Sequence, residues 1–123
     1  MALPQMETSS LIENIIEFIR ERKGRRITRV DLSNIESSAA SNFIICEGSS
    51  TTQVSAIADN IREQLLEQCG VKPYNYDGYQ SSQWIVLDYG DTLVHVFLPD
   101  VRSRYNLEEL WSDADIIEMP EID

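Results

Sequence analysis

The chain has 123 residues, 42% apolar and 25% charged, values of a globular domain large enough for one core, so global disorder is excluded. Ten Lys and Arg stand against 21 Asp and Glu, a formal net charge of −11, whose field repels polyanions and suits a basic partner. No apolar run approaches the roughly 18 residues of a membrane span, and MALPQMETSS lacks the basic start and apolar run of a secretory signal, so a cytoplasmic protein is expected.

Residues 1–9 read as a flexible N-terminus. Ser10-Leu-Ile-Glu13 is a capping box that opens a helix reaching about Lys23, with Leu11 or Ile12, Ile15, Ile16 and Ile19 as its apolar stripe and Gly24 as its C′ residue. Six of the ten basic residues fall between Arg20 and Arg29. Cations at a helix C-terminus complement its dipole, and the same cluster could instead be a nucleic-acid patch. Ile27 to Leu32 follows as a half-buried strand with Val30 and Leu32 on one face, then 33–41 as a small, polar loop. Asn42 to Cys46 is almost wholly apolar and predicts a central strand covered on both faces. Ser50-Thr-Thr-Gln53 is a second capping box. The helix it starts turns Val54, Ile57, Ala58, Ile61 and Leu65 inward and ends at Gly70. A short strand is expected near Tyr74 to Asp77. Cys46 and Cys69 have no His or Cys neighbours, so both read as reduced structural thiols.

Trp84 to Phe97 predicts a β-hairpin about a two-residue Gly90-Asp91 loop. Residue 89 then pairs with 92, 88 with 93, 86 with 95 and 84 with 97. Side chains alternate between faces, so Trp84, Val86, Asp88, Leu93, His95 and Phe97 share one. Ile85, Leu87, Tyr89, Val94, Val96 and Leu98 share the other, an aliphatic core face. Pro99-Asp100 starts a turn of helix and Asn106 to Glu109 caps another. Residues 112–123 form an acidic tail.

The element order predicts an α/β single domain with a mixed β-sheet flanked by helices. The Gly48-Ser-Ser50 turn between strand and helix is a place where such folds bind anions, and with it comes the alternative of a small nucleotide-binding or nucleotidyltransferase enzyme. That chemistry needs two strand-borne carboxylates two residues apart to hold Mg²⁺. No Asp-x-Asp or Asp-x-Glu follows the turn, and Asp88 and Asp91 are three apart across a loop. Asp88 and His95 lie diagonally on one face with no nucleophile beside them in sequence. No catalytic residue, cofactor or metal is therefore expected.

WIVLDYGDTLVHVF, followed by Arg102-x-x-Tyr105-Asn-Leu107-Glu-Glu-Leu110-Trp111, resembles the C-terminal half of the ribosomal silencing factor family, also called Iojap. Phe43-Ile-Ile-Cys-Glu-Gly-Ser-Ser50 with Gln53-Val54 and Ala56-Ile-Ala-Asp-Asn60 carries the likeness upstream, so the domain is placed at 10–111. Ser41-Asn42, Glu47, Asp77-Gly78 and Ser81-Ser-Gln83 depart from the family pattern. The resemblance implies a nucleotidyltransferase-like fold. It also implies docking on the large ribosomal subunit, through a ribosomal protein at the subunit-joining face, so that the small subunit cannot associate. Ribosomal proteins are typically basic, which suits the charge. Trp, Tyr and Arg dominate interface energetics, and the expected docking residues are Trp84, Asp88, His95, Arg102, Tyr105, Leu107, Leu110 and Trp111, the apolar strip being rimmed by Arg102, Arg104, Glu108 and Glu109. A homodimer stays open.

Overall fold

The computed structural model describes residues 7–36 and 38–121. Helix α1 spans Thr8–Glu21, strand β1 Arg25–Asp31, β2 Asn42–Glu47, helix α2 Thr51–Cys69, β3 Asn75–Asp77, β4 Trp84–Asp88 and β5 Thr92–Phe97. Two short helices follow, α3 Pro99–Tyr105 and α4 Leu107–Leu110, then β6 Asp115–Glu118. The six strands form one sheet in the order β3-β4-β5-β2-β1-β6. Only β2 and β5 pair in parallel; every other neighbour is antiparallel. The expected α/β domain with a mixed sheet between helices is the fold found.

Alternation along the strands divides the interior in two. Ile44, Cys46, Ile85, Leu87, Val94 and Val96 meet Ile15, Ile19, Ile57, Ile61 and Leu65 of α1 and α2. Val30, Phe43, Ile45 and Phe97 face the opposite way, against Val101 of α3 and the half-buried Leu107 and Trp111. All six residues of β2 are buried, as its unbroken apolar run requires. Cys46 lies in this strand, and burial pushes its thiol up to about 12, with Arg102 opposing and Glu47 adding to the rise. It is inert at neutral pH.

Helix α2 begins where the capping box places it: Ser50 Oγ accepts from Gln53 N–H at 3.1 Å, and Gly70 ends the helix in the left-handed region at φ 67°. Helix α1 differs at both ends. Its ladder starts with Leu11 N–H donating to Glu7 O at 2.9 Å, and no side chain caps it. Extending a formed helix by a turn costs little once its nucleus exists, so Thr8 and Ser9 join it, inside the segment read as flexible. Residues 1–6 of that segment lie outside the described residues. At the other end Lys23, not Gly24, takes the positive φ, 64°. Lys23 N–H donates to Arg20 O and Gly24 N–H to Ile19 O, both at 3.0 Å, a Schellman closure. Gly24 is required for space instead, because a methyl group there would collide with the Ile19 side chain.

The hairpin has the expected register, Trp84 opposite Phe97, Val86 opposite His95 and Asp88 opposite Leu93. Gly90 takes φ 88°, which only glycine adopts without strain, and Asp88 Oδ1 accepts its N–H at 2.8 Å. The segment read as an acidic tail supplies the sixth strand: β6 lies against β1 with Val30 opposite Ile116 and Asp31 opposite Asp115. No helix among the described residues is long and apolar enough to cross a membrane.

Candidate docking site

The candidate site is built on the sheet face beneath α3 and α4. Trp84 on β4 stacks on Phe97 at 4.9 Å between ring centres and meets Tyr105 of α3 at 4.7 Å. Its indole N–H donates to His95 Nδ1 at 3.1 Å. His95 touches Phe43 edge-on at 4.8 Å, and Phe43 touches Trp111 edge-on at 6.0 Å. A ribbon of rings thus runs Tyr105–Trp84–His95–Phe43–Trp111 across three strands. Its middle is buried. Its ends emerge, with Tyr105 52% and the neighbouring Leu110 71% exposed.

The eight expected docking residues divide four ways. Tyr105 and Leu110 are exposed, while Trp84, Leu107 and Trp111 are half-buried with their inner surfaces on the core. Asp88 sits apart, its carboxylate closing the hairpin turn. His95 is buried, a correction to its place on a docking face. The rings of Phe43, Trp84 and Phe97 pack around it and leave it 5% exposed, so it can shape the surface only from below. Burial pushes its imidazole down to about 4, against the opposing pull of Glu108. It is neutral near pH 7 and accepts through Nδ1, so the proton is assigned to Nε2. Val86, not Asp88, stands opposite it, and no acid–base pair forms.

Arg102 is the second correction. Expected on the rim, it is 5% exposed. Its Nε and Nη2 donate to Glu108 Oε1 at 2.9 and 2.7 Å, and Nη1 donates to Arg26 O at 2.8 Å and Glu47 Oε2 at 3.2 Å. Nη2 also donates to Thr28 Oγ1 at 2.9 Å. A guanidinium directs its donors in a rigid fork, and here each nitrogen is spent inside the protein. The cation joins β1, β2, α3 and α4. Arg26 contributes its carbonyl from a bulge where its φ is 52° and the β1–β2 register shifts. Thr28, Glu47 and the Arg26 carbonyl are members of this site that sequence reading missed. Only the unusual acid at the end of an apolar strand, Glu47, hints at a buried partner.

The Gly48-Ser-Ser50 turn is filled by its own helix. Gln53 Oε1 accepts from Ser49 N–H at 2.6 Å and Ser49 Oγ at 2.8 Å. Gln53 Nε2 donates to the Arg22 and Lys23 carbonyls. The side-chain amide thus holds the Ser49 donors that an anion would use. Among the described residues no three His, Cys, Asp or Glu side chains converge as a metal-binding group.

The fold and site together define a class first: a three-layer α/β domain with a self-occupied strand–helix turn and an aromatic surface beside two short helices. Residues 5–123 match the family described as "Ribosomal silencing factor during starvation". The chain is 35% identical to ribosomal silencing factor RsfS of Halalkalibacterium halodurans, covering 93% of this chain and 96% of that one. It is 36% identical to RsfS of Bacillus subtilis, covering 93% and 95%. A crystal structure of a Chromobacterium violaceum protein superposes with a TM-score of 0.81 at 32% identity, over 95% of this chain and 92% of that one. The chain belongs to the ribosomal silencing factor family.

Proposed function

We propose that this chain is a cytoplasmic, ribosome-associated repressor of translation. It docks on the large ribosomal subunit through a basic ribosomal protein at the subunit-joining face and excludes the small subunit by occupancy, with no chemical step. The observation that carries the reading is the emergence of the aromatic ribbon at Trp84, Tyr105 and Trp111, next to the exposed Leu110 and with the exposed acids Glu109 and Asp113 close by in the chain. Large rings fixed from below desolvate area at low entropic cost, and the acids around them complement a basic partner. Leu107 and His95 support the rings, and Arg102 fixes α3 and α4. Arg20 to Arg29 would add a secondary contact with ribosomal RNA. Self-association through β6 is no part of this reading, because antiparallel pairing of two copies would set Asp115 against Glu118.

Sedimentation with purified subunits tests it. In excess, the protein should travel with the large subunit and lower the yield of joined ribosomes. Travel with the small subunit alone, or undiminished joining at saturation, would overturn the proposal.

A further inference from the structure

The basic cluster is already occupied by the chain's own C-terminal segment. β6 pairs with β1 from Thr28 opposite Glu118 to Asp31 opposite Asp115, and Met119 N–H donates to Ile27 O at 2.8 Å. Beyond the strand, Arg20 Nη2 donates to Pro120 O at 3.0 Å. Glu121 receives the Arg26 backbone N–H at 2.9 Å through Oε1, and its Oε2 lies 3.8 Å from Arg25 Nη1. One carboxylate thus takes a backbone amide and a guanidinium together, the donor pair that holds a phosphate oxygen.

All four β6 residues are exposed, and among the described residues Met119 and Ala114 are the apolar side chains that lean on the cores from its two ends. An element held by edge hydrogen bonds and surface charge opens at low free-energy cost. Beneath it the stretch 20–29 has six cations against one acid, Glu21, while four acids lie between Asp113 and Glu121. The net charge of −11 belongs to the whole chain. Charges farther off than about 8–10 Å are screened at physiological salt, so the local balance decides what this edge attracts.

We propose that the end of α1 and β1 form an RNA-backbone-binding surface which residues 115–121 occupy in the free protein and vacate when RNA binds. Arg20, Arg22, Lys23 and Arg25 carry the contact. Arg26 offers its amide from the bulge and Glu121 is the internal mimic of the phosphate. Choosing RNA among polyanions rests on the ribosome-directed function proposed above; the masking of the cations rests on the contacts alone.

Anisotropy of a short, labelled single-stranded RNA, measured on the full chain, tests this. Glu118→Gln with Glu121→Gln should tighten RNA binding about tenfold and speed hydrogen exchange at 115–119. Adding Arg22→Gln and Arg25→Gln should abolish the gain. If β6 stays protected in the first variant, Ile117→Pro breaks the ladder instead. Free exchange at 115–119 with RNA affinity within about twofold of the parent, or a gain that survives loss of the two arginines, would overturn the inference. Large-subunit sedimentation of the same variants separates the two proposals. Normal subunit binding without an RNA gain sinks only this one.

Discussion

Replacing Arg102 by Met should destabilise the domain by about 3–5 kcal/mol, the cost of removing one partner from a buried ion pair. Five hydrogen bonds disappear. Glu47, whose side chain is 8% exposed, keeps only Arg26, itself 63% exposed and a weaker partner for a buried charge. The Arg26 carbonyl loses its Arg102 donor in a strained bulge. Met matches most of the lost volume, so the cost is electrostatic rather than a cavity. For a domain of this size the loss corresponds to a fall in Tm of about 12–19 °C. Denaturant unfolding measures it, with Arg104→Met, an exposed neighbour, expected within about 0.5 kcal/mol of the parent. Replacing Glu47 by Leu as well should recover part of the loss, since an apolar pair leaves no uncompensated charge. A cost below about 1 kcal/mol for Arg102→Met, with α3 and α4 amides unshifted, would refute the assignment of Arg102 as the tie between helices and sheet.

Leu110→Ala should behave oppositely. At 71% exposure its stability should change by no more than about 0.5 kcal/mol, while large-subunit affinity weakens by about 2 kcal/mol if it is a hot spot; unchanged affinity would remove α4 from the docking surface. His95 predicts a pH dependence. Its pKa falls from an ordinary 6.5 to about 4 on folding, so the unfolded chain binds the proton more readily between those values. Stability is full above pH 6.5 and falls as pH drops towards 4, by about 3 kcal/mol in all. His95→Gln should flatten that part of the curve relative to the parent, and identical pH profiles for the two proteins would show that His95 is not the group.

The elements, the hairpin register and the two-sided burial of β2 were legible because each is written in neighbouring residues. Period-2 alternation, a capping box or a Gly in a two-residue turn acts over a few positions, and the physics behind them is local. Even there, Lys23 rather than Gly24 takes the left-handed conformation, and Gly24 is needed for its lack of a side chain beside Ile19. The family was legible for the same reason, since its motifs lie along those elements. What the sequence could not sort was which polar side chains of the Trp84–Trp111 region face solvent. Arg102 and His95 look like surface residues until α3, α4 and the neighbouring strands close over them. Apart from Glu108, six residues on, the partners of Arg102 lie 55, 74 and 76 residues away, with no periodicity to announce them. The acidic tail became a strand for a similar reason. Nothing in Asp115–Glu118 demands extended pairing, but β1 left an open edge of backbone donors and cations that this segment could satisfy. Local pattern determined the parts and their faces; only tertiary closure decided which charges became internal and which remained for a partner.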